Sequence, residues 1–179
     1  MTRGNTDTER KEIQIVCFKL SGREYGFPIL QVKEIVRLGN VIKLPELSRV
    51  FEGVINLRGQ LVPLLDLRVR YGVPTSEEII PKALILKISN EDFLGAIVDD
   101  ISEIIILSES KFLSITSSVI DKESRKISGI VEMEGDRSII ILDVSNIMDE
   151  KELARIKEKI EATGAEHGTE HNGISGVTV

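Results

Sequence analysis

Hydrophobic positions in this chain come as short runs of Ile, Val and Leu, interrupted at close intervals by Gly, Asp and Asn. That rhythm belongs to many short strands in an all-β domain, because a helix would spread its apolar residues over a period of about 3.6. Strands are predicted over 13–20, 24–28, 53–58, 60–66, 82–89, 93–99, 104–107, 127–134 and 137–143. Ser21-Gly22, Arg58-Gly59, Asn90-Glu91-Asp92 and Glu134-Gly135-Asp136 stand between apolar runs and tolerate a positive φ, so tight hairpin turns are expected there. Pro63 falls inside a predicted strand and, lacking an amide proton, has to lie at an edge or a bulge.

The period changes after Asp149. Leu153, Ile156 and Ile160 share one helical face with charges around the rest, which predicts an amphipathic helix over 150–163. Asp149 followed three places on by Glu152 has the form of a capping box, and Gly164 is a natural stop. The flanking segments 1–12 and 164–179 are polar, and both are expected to be disordered tails.

The chain also resembles itself. Displaced by 69 positions, Tyr25, Gly26, Val32, Glu34, Ile35 and Leu38 fall on Leu94, Gly95, Ile101, Glu103, Ile104 and Leu107, and 13–20 falls on 82–89. Displaced by 76, Gly53, Ile55 and Gly59 fall on Gly129, Val131 and Gly135, and Asp66 finds Asp143 one place later. Two pseudo-repeat halves follow, about 13–80 and 81–149, each the size of a five-stranded barrel. A barrel that small buries too little alone, so the halves are expected to share a core, side by side or intertwined, in one mainly β domain over 13–149.

Composition narrows the chemistry. Of 179 residues two are His and one is Cys, and both His167 and His171 lie in the C-terminal tail. The body therefore has no imidazole to act as acid, base or metal ligand. The tail spells H-x-x-E-H, yet Gly168 between the two His and the lack of any later acidic residue do not suit a zinc helix, so no metal is expected. Neither common nucleotide-binding glycine motif occurs, and no cofactor is expected. Asp66 and Asp143 end apolar strands where a turn or cap needs an acceptor, and Asp99-Asp100 reads as a polar break, so these carboxylates are accounted for without catalysis. An enzyme is not expected. A single Cys17, no apolar leader and no run of roughly 20 apolar residues point to a cytoplasmic protein without membrane insertion.

The net charge of -6 is unevenly spread, with +3 over 33–76 and -7 over 77–148. Such a dipole suits different partners at different ends, or is unselected surface charge. A pI of about 5.1 and the lack of a basic run interleaved with aromatics argue against nucleic acid.

The segment 51–68 is different in kind. It is a largely apolar hairpin with Arg58 projected at the turn by Gly59. A guanidinium on so rigid a mount suits a bidentate contact to a partner's carboxylate, or an internal salt bridge to Glu34. The string N-L-R-G-x-x-V-P-x-x-D-L-R at 56–68 is preceded by Glu24-Tyr25-Gly26, Ile29-Leu30, Val32 and Glu34-Ile35. It is followed by Gly95, Val98-Asp99, Gly129 and Leu142-Asp143, and the whole closely resembles the CheW family of chemotaxis coupling proteins. The resemblance runs from about 13 to 149, while the tail after Gly164 matches nothing in it.

That resemblance implies two SH3-like five-stranded β-barrels around a common hydrophobic core, with no catalysis and no cofactor. It implies an adaptor that couples the cytoplasmic tip of methyl-accepting chemoreceptors to the regulatory domain of the histidine kinase CheA. The protein would be recruited to receptor arrays at the inner face of the membrane. Val32, Glu34 and Arg58 match receptor-binding positions, and Gly53, Asn56 and Gly59 belong to a hairpin that contacts receptor or kinase. With about 137 residues in the domain, a stand-alone coupler is expected rather than a kinase or a receiver fusion. Two other classes stay open. A small-β-barrel nucleic-acid binder would lose affinity steeply with salt, and a carboxylate hydrolase would need a convergent acidic pocket.

Overall fold

The computed structural model describes residues 12–45, 48–75, 80–108, 112–114, 127–164 and 176–178. The expected tail before residue 12 and most of that after 164, His167 and His171 included, lie outside the described residues. The first half contains β1 (Glu12–Leu20), β2 (Arg23–Pro28), a 3-10 turn (Ile29–Gln31), β3 (Val32–Arg37), β4 (Phe51–Leu57), β5 (Gln60–Asp66) and α1 (Leu67–Arg70). The second contains β6 (Lys82–Lys87), β7 (Phe93–Val98), β8 (Asp100–Ser108), β9 (Phe112–Ser114), β10 (Ile127–Glu132), β11 (Ser138–Leu142) and α2 (Val144–Ile147). After them come α3 (Glu150–Gly164) and β12 (Gly176–Thr178).

Two sheets result, in the orders β8-β1-β2-β11-β10-β9 and β12-β3-β6-β7-β5-β4. Setting aside the three-residue strands β9 and β12, each is the five-stranded barrel that was expected. The two halves, however, do not make one barrel each. They are intertwined: β1 and β2 sit with β8, β10 and β11, while β3, β4 and β5 sit with β6 and β7. Each pairing has its repeat counterpart, β1·β2 with β6·β7, β1·β8 with β6·β3, and β10·β11 with β4·β5. The parallel pair β2·β11 likewise matches β7·β5.

The core that the barrels share is plain in β1 and β6, which are buried at four consecutive positions, 15–18 and 83–86. Ile15 and Cys17 fill the first barrel, and Val16, Phe18 and Leu20 enter the core between the barrels. Ala83 and Ile85 fill the second barrel, and Leu84 and Leu86 enter the same shared core. A strand covered on both faces reads as a continuous apolar run and requires protein on both sides. Phe18 stacks on Phe27 in that shared core, with ring centroids 5.3 Å apart. Burial pushes the Cys17 thiol up to about 12, which leaves it inert inside its barrel.

The C-terminal helix α3 closes the shared core by inserting Ile156, with Ile160 packed against it. Its start is the expected reciprocal box: the Glu152 amide donates to Asp149 Oδ1 at 2.7 Å and the Asp149 amide to Glu152 Oε2 at 3.1 Å. Arg70 of α1 fixes that end, donating to both Glu152 oxygens (2.9 and 2.5 Å) and to the Ile147 carbonyl (2.8 Å).

Three expectations change. Strand β3 was not predicted, because Lys33, Glu34 and Arg37 interrupt its apolar pattern, although the repeat had already laid it over 101–107. Gly176–Thr178, expected to be disordered, pairs antiparallel with β3, since a sheet edge offers backbone partners to a segment whatever its composition. Pro63 lies on an inner strand, but Val54 opposite it gives both amide and carbonyl to Ile42 at 2.8 Å, so no ladder bond is missing. β7 joins β5 only from Leu64 onward.

A buried polar network, not foreseen from the sequence, joins the barrels. Asp66 caps α1 and also accepts from Arg68 Nε (3.0 Å) and Nη2 (2.7 Å), while Arg68 Nη1 reaches Asp99 at 3.2 Å. Asp99 in turn accepts the Ser21 amide of the β1–β2 turn at 2.6 Å. The bonds to Asp66, outweighing the loss of solvent, hold the Arg68 guanidinium above its ordinary range. Replacing Arg68 with Ala strands two buried carboxylates, and a loss of about 3–5 kcal/mol is expected in urea unfolding. Lys157→Ala, which breaks an exposed pair with Asp92, should cost under about 1 kcal/mol by the same measurement.

A pH dependence also follows. Burial would raise the Glu152 carboxyl, but the Arg70 guanidinium and the Asp149 amide together bring it below its ordinary 4.5. A carboxylate lowered in the folded state contributes stability that is complete above the unfolded value and is lost as pH falls through the lowered folded value. Urea midpoints measured from pH 6 downward should therefore fall more steeply below about pH 4.5 in the parent than in Glu152→Gln.

Candidate functional site

The site is built on the β4–β5 hairpin. Leu57 pairs with Gln60, so the loop is two residues long, and both Arg58 (φ 53°) and Gly59 (φ 89°) are left-handed. That is a type I′ turn, whose twist matches the flanking strands. Asn56 locks it, its Oδ1 accepting the Gly59 amide at 2.7 Å. Asn56 and Gly59 thus serve to aim Arg58.

Arg58 reaches across to β3. Its Nη1 and Nη2 donate to the two oxygens of Glu34, each at 2.8 Å. The internal bridge weighed from the sequence is present, in bidentate form. The two side chains are very unequal, Glu34 being 2 % exposed and Arg58 58 %. β3 and β4 lie at opposite ends of the five-stranded sheet, so the pair spans the seam where the second barrel closes.

Strand β3 carries two further cations, and the segment before β4 carries another cation and an apolar side chain. Lys33 lies with its Nζ 3.5 Å from the centre of the Phe93 ring, and Arg37 is exposed on the same strand. Lys43 pairs with Glu52. Ile42, partly exposed, is held to β4 by its bridge with Val54.

Gly53 is where that bridge becomes possible. Its φ of +145° and the Ile42 carbonyl, 2.3 Å from where a Cβ would stand, both exclude a side chain. Gly53 therefore serves close packing of the 41–44 segment. Val32, expected on the receptor-facing surface, is instead 5 % exposed in the shared core, because the register shift between Val32 and Glu34 turns Val32 into that core while Glu34 faces Arg58. Of the predicted residues the structure brings together Glu34, Arg58, Asn56 and Gly59; Gly53 supports them from below. Ile42 and Lys33 were missed, for want of any motif around them.

Among the described residues no group of three or more His, Cys, Asp and Glu could hold a metal ion. Asp66 and Asp99 do converge, but on Arg68 and with side chains less than a tenth exposed. An open cleft of about 550 Å³ on the first barrel is lined by Lys19, Arg23, Glu24 and Arg137, and Arg137 is already paired with Glu24 and Glu103. No described helix is long and apolar enough to cross a membrane.

A model of the CheW-like domain family matches residues 14–152. The chain belongs to that family. Similar CheW-family proteins include the chemotaxis protein CheW of Bacillus subtilis, 32 % identical over 77 % of this chain and 88 % of its own length. The chemotaxis protein CheW of Treponema pallidum is 28 % identical over 82 % of this chain and 88 % of its own. Among solved structures, the scaffolding protein TtCheW from Thermoanaerobacter tengcongensis superposes with a TM-score of 0.69 at 30 % identity. It covers 78 % of this chain and 94 % of its own.

In this CheW-family chain the role of Gly53 can be read directly. Gly53→Ala combines the unfavourable φ with the clash on Ile42, so a loss on the order of 1–3 kcal/mol is expected, with faster hydrogen exchange at the Ile42 and Val54 amides. Gly59→Ala meets no atom within 4 Å and should cost only about 1–2 kcal/mol for its left-handed backbone, with those two amides unchanged.

Proposed function

We propose that this protein is a chemotaxis adaptor that couples methyl-accepting receptors to the histidine kinase CheA through binding alone. The observation that carries this reading is the state of Arg58. Glu34 takes two of its five N–H groups and fixes its orientation, while more than half of the side chain stays exposed. Such an Arg is pre-organised for an acidic partner, and Lys33 and Arg37 lie on the same strand as the Glu34 that holds it. The receptor's cytoplasmic tip is the partner we assign to this face. The regulatory domain of the kinase would dock elsewhere, and Ile104 (46 % exposed) and Ile106 (60 % exposed) on β8 offer it apolar ground. Cytoplasmic placement at receptor arrays belongs to the same reading.

Co-sedimentation with receptor-containing membranes, with and without the kinase, tests it. The parent should pellet with the membranes and carry the kinase with it; absence of a ternary complex at micromolar concentrations would refute the coupler. A charge-assisted hydrogen bond is worth roughly 1.5–3 kcal/mol, so Arg58→Ala should weaken receptor capture on the order of 10-fold to 100-fold. Removing Arg58 alone also strands the buried Glu34, so the decisive variant is Glu34→Met with Arg58→Met, which takes out both charges. It should stay folded by circular dichroism and still fail to bind receptor. Restored binding in that double variant would show Arg58 to be a brace and nothing more.

A further inference from the structure

Strands β3 and β8 occupy equivalent places in the two barrels, each at the end of its five-stranded sheet with one row of backbone groups turned outward. Among the described residues no strand pairs with that outer edge of β8. On β3 the same edge is filled by β12, contributed by the C-terminal end of the same chain. The register is antiparallel, with Gly176 opposite Val36, Val177 opposite Ile35 and Thr178 opposite Glu34. The last pair sets β12 beside the residue that holds Arg58.

We propose that Gly176–Thr178 is a built-in strand that occupies the β3 edge and competes with the receptor for the Arg58 face. This rests on the receptor reading of that face. Neighbouring strands lie about 4.8 Å apart, so any partner broad enough to cover Arg58 and the rim of β3 meets β12 first. An exposed edge accepts a strand through main-chain hydrogen bonds, and three residues supply only a few of them, each worth about 0.5–1.5 kcal/mol net. As a free peptide such a segment would bind feebly. Carried on the same chain, it acts at an effective concentration on the order of millimolar, enough to hold the edge and weak enough to be displaced.

The test compares the full chain with one ending at Ser175. In the shortened chain the β3 amides of Glu34, Ile35 and Val36 that face β12 should exchange faster. Its affinity for a soluble receptor-tip hairpin should rise roughly 3- to 10-fold, as expected when a competing state holds most of the population. A synthetic peptide of residues 172–179, added at millimolar concentration, should reverse the gain. Unchanged exchange would overturn the proposal by showing the edge to be open already. Faster exchange with unchanged receptor affinity would also overturn it, leaving β12 a cap without competition. Faster exchange with no receptor binding by either chain would instead bring down the receptor reading, and the competition with it, while the intrachain strand stood.

Discussion

β1 and β6 are covered on both faces along their centres. Each carries four buried residues in succession, alternately filling its own barrel and the core between the barrels. That double burial cannot be met by one five-stranded sheet, which has an inside but no second layer to pack against. Packing two barrels together meets it: β1, paired with β8, and β6, paired with β3, both feed one core. Gly26 and Gly95 show how tightly the scheme closes. A Cβ on Gly26 would lie 2.3 Å from Ile15, and one on Gly95 2.5 Å from Leu64, beside the parallel pairings that complete each barrel.

The two-fold plan is broken where polarity is needed. Asp66 and Asp143 are repeat counterparts, and each caps a one-turn helix after the last strand of its hairpin. At Asp143 the cap is completed by Ser145 and by Gln31, both uncharged partners. At Asp66 the place of Ser145 is taken by Arg68, which draws in Asp99 and through it the β1–β2 turn. Two carboxylates on one buried guanidinium are tolerable because every one of these charges is hydrogen-bonded. The junction therefore ties the second barrel to the first by polar contacts as well as by the shared core, and gives the molecule two unlike ends.

How much of this was legible in the sequence depended on range. The turn at Arg58-Gly59, the Asp66 cap and the capping box were readable because they are local: Asp66 with Arg68's amide, Asp149 with Glu152. The repeat was readable because Gly and Asp recur in order. The exchange of hairpins was not, since the apolar runs of β1 and β6 show that both faces are covered without showing by what. Nor was Arg68–Asp99, which joins residues 31 apart that no local pattern connects. β3 escaped because its buried Glu34 looks polar in a list and acts as core only once Arg58 is opposite it. Val32 misled for the converse reason, a bulge having turned it inward.

Arg58 explains why the sequence left its two readings even. A partner's carboxylate and the internal bridge to Glu34 are separate roles on paper, but in the proposed function the second would prepare the first. A free Arg side chain carries about 2 kcal/mol of rotamer entropy, which an interface would have to overcome to fix it. Glu34, buried and itself immobile on β3, has already fixed it during folding, and the type I′ turn has fixed the backbone beneath. The cost of ordering is thus met by barrel closure, and the binding proposed at this face would not have to meet it again. An adaptor that works by binding, as proposed, transmits through the geometry of its contacts, and a guanidinium held at the barrel seam would make that geometry sensitive to any shift between β3 and the β4–β5 hairpin.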